Sequence, residues 1–377
     1  MSEAAVYRGH ALPGQVRTLP RDYYISEDIY GEEADRIFAR RWVCVGRADQ
    51  VAAPGDYFLA EVAGESLIVV RDAQQTPRAF FNVCRHRGTR LCEAVAGRLG
   101  GAIQCPYHGW TYALDGRLLG APHMADTPGF DPAELPLHRA ALGAWDGFLF
   151  VSLDPQALAL EAVLAPLAGK FAAWRLGELR PFRRIEYDVR ANWKLFFQNF
   201  SECYHCPRIH PELTRLSPYR SGANDLTEGP ILGGYMTIDA PGDSLTLSGR
   251  AACPQPVGPL SDDDRRRVYY YSVFPNLFLT LLPDYAMWHT LSPQAPDRTR
   301  IVCEWLFAPE SGAPSAAGPE DAVAFWDRTN RQDWHVCELA QQGVSSRAYT
   351  PGPYAVQESL LAAFDRELLA ALGRPGA

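Results

Sequence analysis

The chain has 377 residues, 47% hydrophobic and 21% charged, with 36 Lys and Arg against 44 Asp and Glu for a net charge of −8. That composition matches an ordinary globular protein with a sizeable core, and the acidic balance provides no basic face for nucleic acid or anionic lipid. Apolar runs such as 147–153 and 277–282 fall far short of the ~20 residues a membrane helix requires. No charged-then-apolar leader pattern opens the chain, and of the nine cysteines the seven other than Cys84 and Cys105 show no disulfide-framework spacing, so a reducing cytoplasm is the expected location.

Ser26, followed by Glu27 and Asp28, predicts a helix N-cap with an acidic first turn, and Tyr30, Ala34, Ile37, Phe38 and Trp42 recur behind it at helical spacing. Residues 1–42 are expected to form an N-terminal helical segment. Over 43–154 the pattern changes to short strand-like runs (66–70, 79–83, 102–104 and 147–153) broken by Gly, Pro and Asp, which predicts an antiparallel β domain. Within it stand Cys84-x-His86 and, after a loop of eighteen residues, Cys105-x-x-His108. Two thiolates and two imidazoles in that order suit a Rieske [2Fe-2S] centre, one iron held by the cysteines and the other by the histidines. A structural zinc site uses the same ligand types, but here each half contributes one cysteine and one histidine. Gly88 and Gly109 follow the ligands, where the loops must turn tightly and backbone amides can face cluster sulfurs.

Residues 155–377 exceed what an electron carrier needs. An Ala/Leu-rich stretch over 155–174 predicts a bridging helix, and 184–190 alternates Ile185, Tyr187 and Val189 with polar neighbours as a half-buried strand does. Further strands are expected at 234–239, 268–274, 277–282, 286–291 and 300–307, a loop at 309–319, and two long helices at 319–342 and 354–372. Strands in series bracketed by helices predict an α+β domain with a curved antiparallel sheet.

Residues 192–210, NWKLFFQNFSECYHCPRIH, concentrate possible ligands in this larger domain. His205 and His210 would occupy different faces of an unbroken helix; Pro207 is expected to end or kink that helix after His205 and let the chain turn His210 back. Two imidazoles and one distant carboxylate with open positions form the facial triad of non-haem Fe(II) oxygenases. Glu202-x-x-His205 is half of a di-iron signature, without the second half such a site needs. Cys203 and Cys206 form a C-x-x-C without the partner pair of a zinc site, and are expected as buried free thiols.

CRHRG with CPYHGW, then NWK, then NFSECYHCPRIHP resembles the catalytic α subunits of Rieske non-haem iron oxygenases, the aromatic-ring-hydroxylating dioxygenase superfamily, from about Leu19 to the C-terminus. The resemblance implies an N-terminal segment 1–42 packing on the catalytic domain, a Rieske domain over 43–154, and a helix-grip, START-like catalytic domain over 155–377. It implies Cys84, His86, Cys105 and His108 as cluster ligands and His205 and His210 as iron ligands, with Asp333 in the third ligand's place and Asp327 and Glu338 as its competitors. Glu202 matches the acid that passes electrons and protons between cluster and iron, and His335 is expected to be structural. It also implies a ring-shaped homo-oligomer, expected as a trimer, in which one subunit's cluster serves its neighbour's iron. Thr89 and Tyr107 stand where respiratory-chain Rieske proteins carry disulfide cysteines. No Gly-rich dinucleotide fingerprint opens a βα unit, so a separate flavin- or ferredoxin-type reductase using NAD(P)H is expected.

The segments FPNLFLTLLPDYAMWHTLSP, PDRTRIVCEWLF and SRAYTPGPYAVQESL are most similar to the branch that oxidises quaternary ammonium compounds such as glycine betaine, choline or carnitine. The expected reaction is O2-dependent hydroxylation of an N-methyl group, followed by demethylation. Tyr271, Phe278, Tyr285 and Trp288 are candidate ring faces for such a cation, against the plainer reading that aromatic residues on strands build core. Ring hydroxylation of an aromatic acid is the competing enzyme reading. A non-catalytic Rieske electron carrier is the alternative from another class.

Overall fold

The computed structural model describes residues 16–239, 243–309 and 318–374. The start of the expected N-terminal segment and most of the expected loop at 309–319 lie outside the described residues. The chain divides into two compact units, Ala34–Ala162 on the one hand and Met1–Glu33 with Val163–Ala377 on the other. The sequence pattern drew its divisions at 42/43 and 154/155. The structure cuts the expected N-terminal segment between the helix Glu27–Glu33 and the π-helical turn Ala34–Phe38.

In the smaller unit, a seven-stranded antiparallel sheet runs in the order Val43–Arg47, Phe148–Ser152, Arg139–Trp145, Pro77–Phe81, Glu65–Arg71, Asp56–Val62 and Ala96–Arg98. A second sheet is formed by Ala102–Gln104, Thr111–Ala113 and Leu118–Gly120. Ile68, Val70, Phe80, Ile103 and Tyr112 fill the core beside Cys84 and Cys105. The strand Arg139–Trp145, RAALGAW, gave no strand signal in sequence, because Ala and Gly outnumber the β-branched residues that mark strands.

In the larger unit, a seven-stranded antiparallel sheet runs in the order Arg180–Val189, Arg298–Phe307, Ala286–Ala295, Leu277–Leu281, Arg267–Val273, Ile231–Thr237 and Ala223–Leu226. The helices Trp193–Phe200, Gly318–Val344 and Ser359–Ala371 pack on it in a helix-grip arrangement. No helix among the described residues is long and apolar enough to cross a membrane. The bridging helix expected at 155–174 is broken into a helical turn Leu160–Val163 and 3-10 turns Ala165–Leu167 and Ala172–Trp174. Pro166 removes a backbone donor there, and Gly169 sits at φ +71°, which no α-helix contains.

The helix Trp193–Phe200 leads into the ligand-rich segment, and its position is fixed by buried polar contacts. Asn192 caps it by accepting from the Lys194 amide at 3.0 Å. The Lys194 ammonium donates to Glu33 Oε1 at 2.5 Å, and the Trp193 indole N–H donates to Glu33 Oε2 at 2.7 Å. Both charged groups are enclosed, Lys194 at 0% and Glu33 at 1% exposure. Gln198, four residues along, donates to Asp365 Oδ1 at 2.9 Å, and the Tyr354 hydroxyl donates to Asp365 Oδ2 at 2.7 Å. Removing one member of such an ion pair leaves an uncompensated buried charge. Glu33→Ala is therefore expected to lower stability by about 3–5 kcal/mol, read as an earlier midpoint in urea denaturation followed by tryptophan fluorescence. A loss below about 1 kcal/mol, as for an exposed pair, would show that this contact does not anchor the helix.

Candidate active site

The two cluster-loop candidates share one local design. Cys84 opens a turn in which the Gly88 amide donates to the Cys84 carbonyl at 3.0 Å, and Cys105 opens another in which the Gly109 amide donates to the Cys105 carbonyl at 3.1 Å. Gly88 and Gly109 both take left-handed φ, +73° and +70°, a region costly for residues with a Cβ. Cys84 and Cys105 are buried, while His86 is exposed and His108 half-exposed, with their rings 4.7 Å apart. The Tyr112 hydroxyl lies 3.3 Å from Cys84 Sγ and accepts from the Arg85 amide at 3.0 Å. Burial pushes the Cys84 thiol up, so a cationic cofactor is what would favour its thiolate. Two enclosed sulfurs and two outward imidazoles fit a Rieske cluster, with the histidine-held iron on the solvent side.

The second cluster of donors lies in the larger unit. The helix ends at Phe200, before Glu202, so the helix expected to reach His205 stops short. Pro207 instead occupies the first turn of a new short helix, Cys206–Ile209, where its missing N–H costs nothing. His210 is non-helical at φ −120°, ψ 66°, and the chain turns there into the helix Pro211–Leu216. The outcome brings the two rings together, 5.2 Å apart. His205, His210 and Asp333 each offer one donor atom within 4.8 Å of the others. Asp333 Oδ1 is 2.8 Å from His210 Nε2 and 3.3 Å from His205 Nε2. The other ring nitrogens are oriented from behind: His205 Nδ1 lies 2.5 Å from Glu202 Oε1, and His210 Nδ1 lies 2.8 Å from Gln332 Oε1. That is how metal-binding imidazoles are held, with one nitrogen on a carboxylate or carbonyl and the other free for the ion. The competing acids are engaged elsewhere, Asp327 with the Tyr187 hydroxyl at 2.7 Å and Glu338 with the Arg190 amide at 3.1 Å. His335 is exposed and is not part of the three-residue cluster.

Cys203 and Cys206, expected as free thiols, are joined in a disulfide. Because the helix has already ended, residues 203–206 form a turn, with the Cys206 amide donating to the Cys203 carbonyl at 3.3 Å and the two Cα atoms 5.0 Å apart, within disulfide range.

A pocket opens beside the triad and is lined by Phe200, Tyr235, Tyr270, Thr280, Met287, His289, Trp326 and Trp334 as well as by Glu202 and the three candidate ligands. The rings expected to line it do not. Tyr271 and Trp288 are each one residue out of phase with Tyr270 and His289, and one step along a strand reverses the face. The Tyr271 hydroxyl donates to Asp225, the Tyr285 hydroxyl to the Leu245 carbonyl, and Phe278 stacks on Phe200 at 4.3 Å. Sequence could not select among Tyr269, Tyr270 and Tyr271, since an unbroken aromatic run carries no alternation.

Electrostatics within the pocket are uneven. Burial disfavours the His205 imidazolium, but its hydrogen bonds to the Asp333 and Glu202 carboxylates outweigh it and push its pKa up to about 10. Burial likewise disfavours the Asp333 carboxylate, yet the two histidines pull it down to about 2. Burial pushes His289 down to about 4, outweighing the opposing influence of Asn330 and of the Asp333 charge. The Tyr270 and Thr280 hydroxyls, both His289 nitrogens and the Trp334 indole nitrogen are enclosed without a hydrogen-bond partner; the Asn330 side chain approaches His289 without reaching hydrogen-bond geometry. Each such group costs about 1–3 kcal/mol of desolvation.

Together, the paired turns and the two-histidine, one-carboxylate cluster define an oxygenase carrying its own electron-transfer module. Residues 41–131 match the Rieske [2Fe-2S] domain, and residues 176–374 match the catalytic domain of the ring hydroxylating alpha subunit. The chain belongs to the Rieske ring-hydroxylating oxygenases as an α subunit, with a Rieske [2Fe-2S] cluster and a mononuclear iron as its cofactors. It is the oxygenase component of a multicomponent oxidoreductase that depends on a reductase. It is 32% identical to the glycine betaine monooxygenase oxygenase subunit of Chromohalobacter salexigens, over 90% of this chain and 82% of that protein. A crystal structure of the quaternary ammonium Rieske monooxygenase CntA with an inhibitor superposes at a TM-score of 0.81 and 25% identity, covering 95% of this chain and 96% of that one. Naphthalene 1,2-dioxygenase from Rhodococcus sp. superposes at 0.76 with 20% identity over 94% of each chain, a likeness of fold.

Stripped of metal, the triad holds a proton on His205 at pH 7, below its pKa of about 10, while Asp333 is ionised above about pH 2. Metal uptake must displace that proton, so affinity is expected to rise roughly tenfold per pH unit between about pH 7 and 9. Calorimetric titration of metal-free protein with Co(II), in buffers of different ionisation enthalpy, reads the proton released. An affinity independent of pH would exclude a protonated His205.

Proposed function

We propose that the chain oxidises an N-methyl group of a small quaternary ammonium compound of the glycine betaine kind. The observation that carries this reading is the charge of the pocket. Among the described residues its lining includes the carboxylates Glu202 and Asp333 and no Lys or Arg. An aromatic acid would bring a net negative charge to a pocket without a side-chain cation, whereas a betaine carries its own cation, which Glu202 and the ring faces meet. Phe200, Tyr235, Tyr270, Trp326 and Trp334 supply ring faces, each worth ~0.5–2 kcal/mol to a cation. The similarity to a glycine betaine monooxygenase subunit points the same way.

His205 and His210, through Nε2, and Asp333 would hold the iron; Cys84, His86, Cys105 and His108 would hold the cluster. When bound, these groups supply O2 activation and single electrons, respectively. Glu202 fixes the His205 ring through Nδ1 and is the carboxylate through which electron arrival and proton movement are coupled. Phe200, Trp326 and Trp334 exclude water from the reacting methyl group. One oxygen atom of O2 enters a C–H bond, and the other leaves as water with two electrons and two protons, the electrons coming from NAD(P)H through a flavin- or ferredoxin-type reductase. The carbinolamine then loses formaldehyde and a proton to give the demethylated amine. In the working assembly, a homotrimer, the cluster of one subunit serves the iron of the next.

Purified holoprotein with a surrogate reductase and NADH is expected to release formaldehyde from glycine betaine, with choline, carnitine and benzoate-type acids as comparisons. Hydroxylated aromatic acid without formaldehyde would transfer the assignment to ring hydroxylation. Asp333→Ala is expected to reduce iron from three to two per chain while retaining the visible cluster spectrum; three irons retained would remove Asp333 from the ligand set. Glu202→Gln is expected to keep both metals and slow formaldehyde release by about 10- to 100-fold, and an unchanged rate would refute its bridging role.

A further inference from the structure

Tyr270, Thr280 and His289 stand on three neighbouring strands of the larger sheet. Tyr270 is opposite Thr280 in the register, and His289 is opposite Phe278, two residues along from Thr280 on the same face. All three line the pocket that contains His205, His210 and Asp333. Thr280 is 0% and His289 2% exposed, and neither side chain makes a hydrogen bond of acceptable geometry, nor does the Tyr270 hydroxyl. Ser272, on the same face, is already committed to the Leu232 carbonyl at 3.4 Å. Native interiors leave few polar groups unpaired, and three adjacent ones facing a cavity mark a place where a ligand completes the hydrogen bonding.

Their chemistry indicates what the ligand presents. Two hydroxyls and a neutral imidazole can all donate, and a carboxylate offers about four lone-pair positions, whereas an alcohol must both donate and accept. With no Lys or Arg among the described lining residues, a carboxylate is accommodated most readily on a molecule that carries its own cation. We infer that Tyr270, Thr280 and His289 form a specificity-determining subsite for the carboxylate of a zwitterionic substrate, whose N-methyl end then faces His205, His210 and Asp333. The identity of that substrate rests on the quaternary ammonium reading above. The subsite selects a betaine over choline, which has a hydroxyl in place of the carboxylate.

Calorimetric titration of the iron- and cluster-loaded protein with glycine betaine and with tetramethylammonium, which lacks the carboxylate, tests the subsite without turnover. Wild type is expected to bind the betaine at least about tenfold more tightly, and Thr280→Val, Tyr270→Phe and His289→Phe each to cut the ratio of the two Kd values by roughly tenfold, the scale of one hydrogen bond to a charged group. Thr280→Ser, which keeps the hydroxyl, is expected to retain the ratio. Equal binding of both ligands by wild type, binding of neither, or variants that leave the ratio unchanged would each overturn the subsite. Should His289→Phe fail to fold, Thr280→Val, matched in shape, still decides the question. A wild-type preference for the betaine without formaldehyde release would remove the proposed reaction and leave the subsite standing. Formaldehyde release with an unchanged ratio in the variants would do the reverse.

Discussion

Asp333 approaches two imidazoles that lie 123 and 128 positions earlier in the chain, and the catalytic unit is arranged around holding that contact. Asp333 stands on the helix Gly318–Val344, so its place depends on how that helix lies against Trp193–Phe200. Several contacts fix the register. Phe196 meets Trp334 edge to face at 5.3 Å, Gln341 Oε1 accepts from the Asn192 amide at 3.0 Å, and Cys337 lies 3.7 Å from the Leu195 carbonyl. A helix residue rises 1.5 Å and rotates 100°, so a slip of one position would turn the carboxylate away from His210. The Lys194–Glu33 pair and the Gln198–Asp365 contact hold the partner helix just as firmly. Burial pushes Asp365 up to about 7, against the hydrogen bonds of Tyr354 and Gln198, which places a titratable group beside the helix that leads to the candidate ligands.

Legibility in the sequence followed the range of the interaction. The paired turns at Cys84 and Cys105 are local devices, with ligand, glycine and return hydrogen bond within five residues, and their motif was readable from spacing alone. His205 and His210 were readable as a pair, although the physical route was different: the helix ends at Phe200 and Pro207 begins another. The disulfide between Cys203 and Cys206 follows from the same early ending. Asp333 reaches its partners only through tertiary packing, and its spacing distinguishes it from Asp327 and Glu338 no better than chance. The pocket rings depended on strand phase, which the run Tyr269–Tyr270–Tyr271 conceals. His289 left one signal, an imidazole within the apolar run of its strand, and pairing with the neighbouring strands was needed to place it in the pocket.

Fold does not select the substrate. Naphthalene 1,2-dioxygenase and CntA superpose on the chain almost equally well, so the same helix-gripped sheet serves an apolar bicyclic ring and a charged amine, and discrimination must come from side chains on the pocket face. That face is not uniformly apolar. It sets indole and phenol faces beside two carboxylates and leaves the hydroxyls of Tyr270 and Thr280 without protein partners. A naphthalene-like ligand would bury those groups unpaired, with a desolvation cost of about 1–3 kcal/mol each, whereas a zwitterion would meet ring faces and donors.

Unpaired polar groups weaken the protein that carries them, and the surrounding structure shows why they persist. The pocket-side strand Leu277–Leu281 is buried throughout, and the helix leading to the candidate ligands is pinned by an enclosed ion pair. A scaffold held this tightly can keep three donors in place instead of collapsing around them. Thr280 and Tyr270 stand directly opposite each other in the register, and neither hydroxyl takes the other as a partner. Polar groups left unpaired on an otherwise buried face are the means by which a pocket of this fold can discriminate a charged ligand from a hydrocarbon ring.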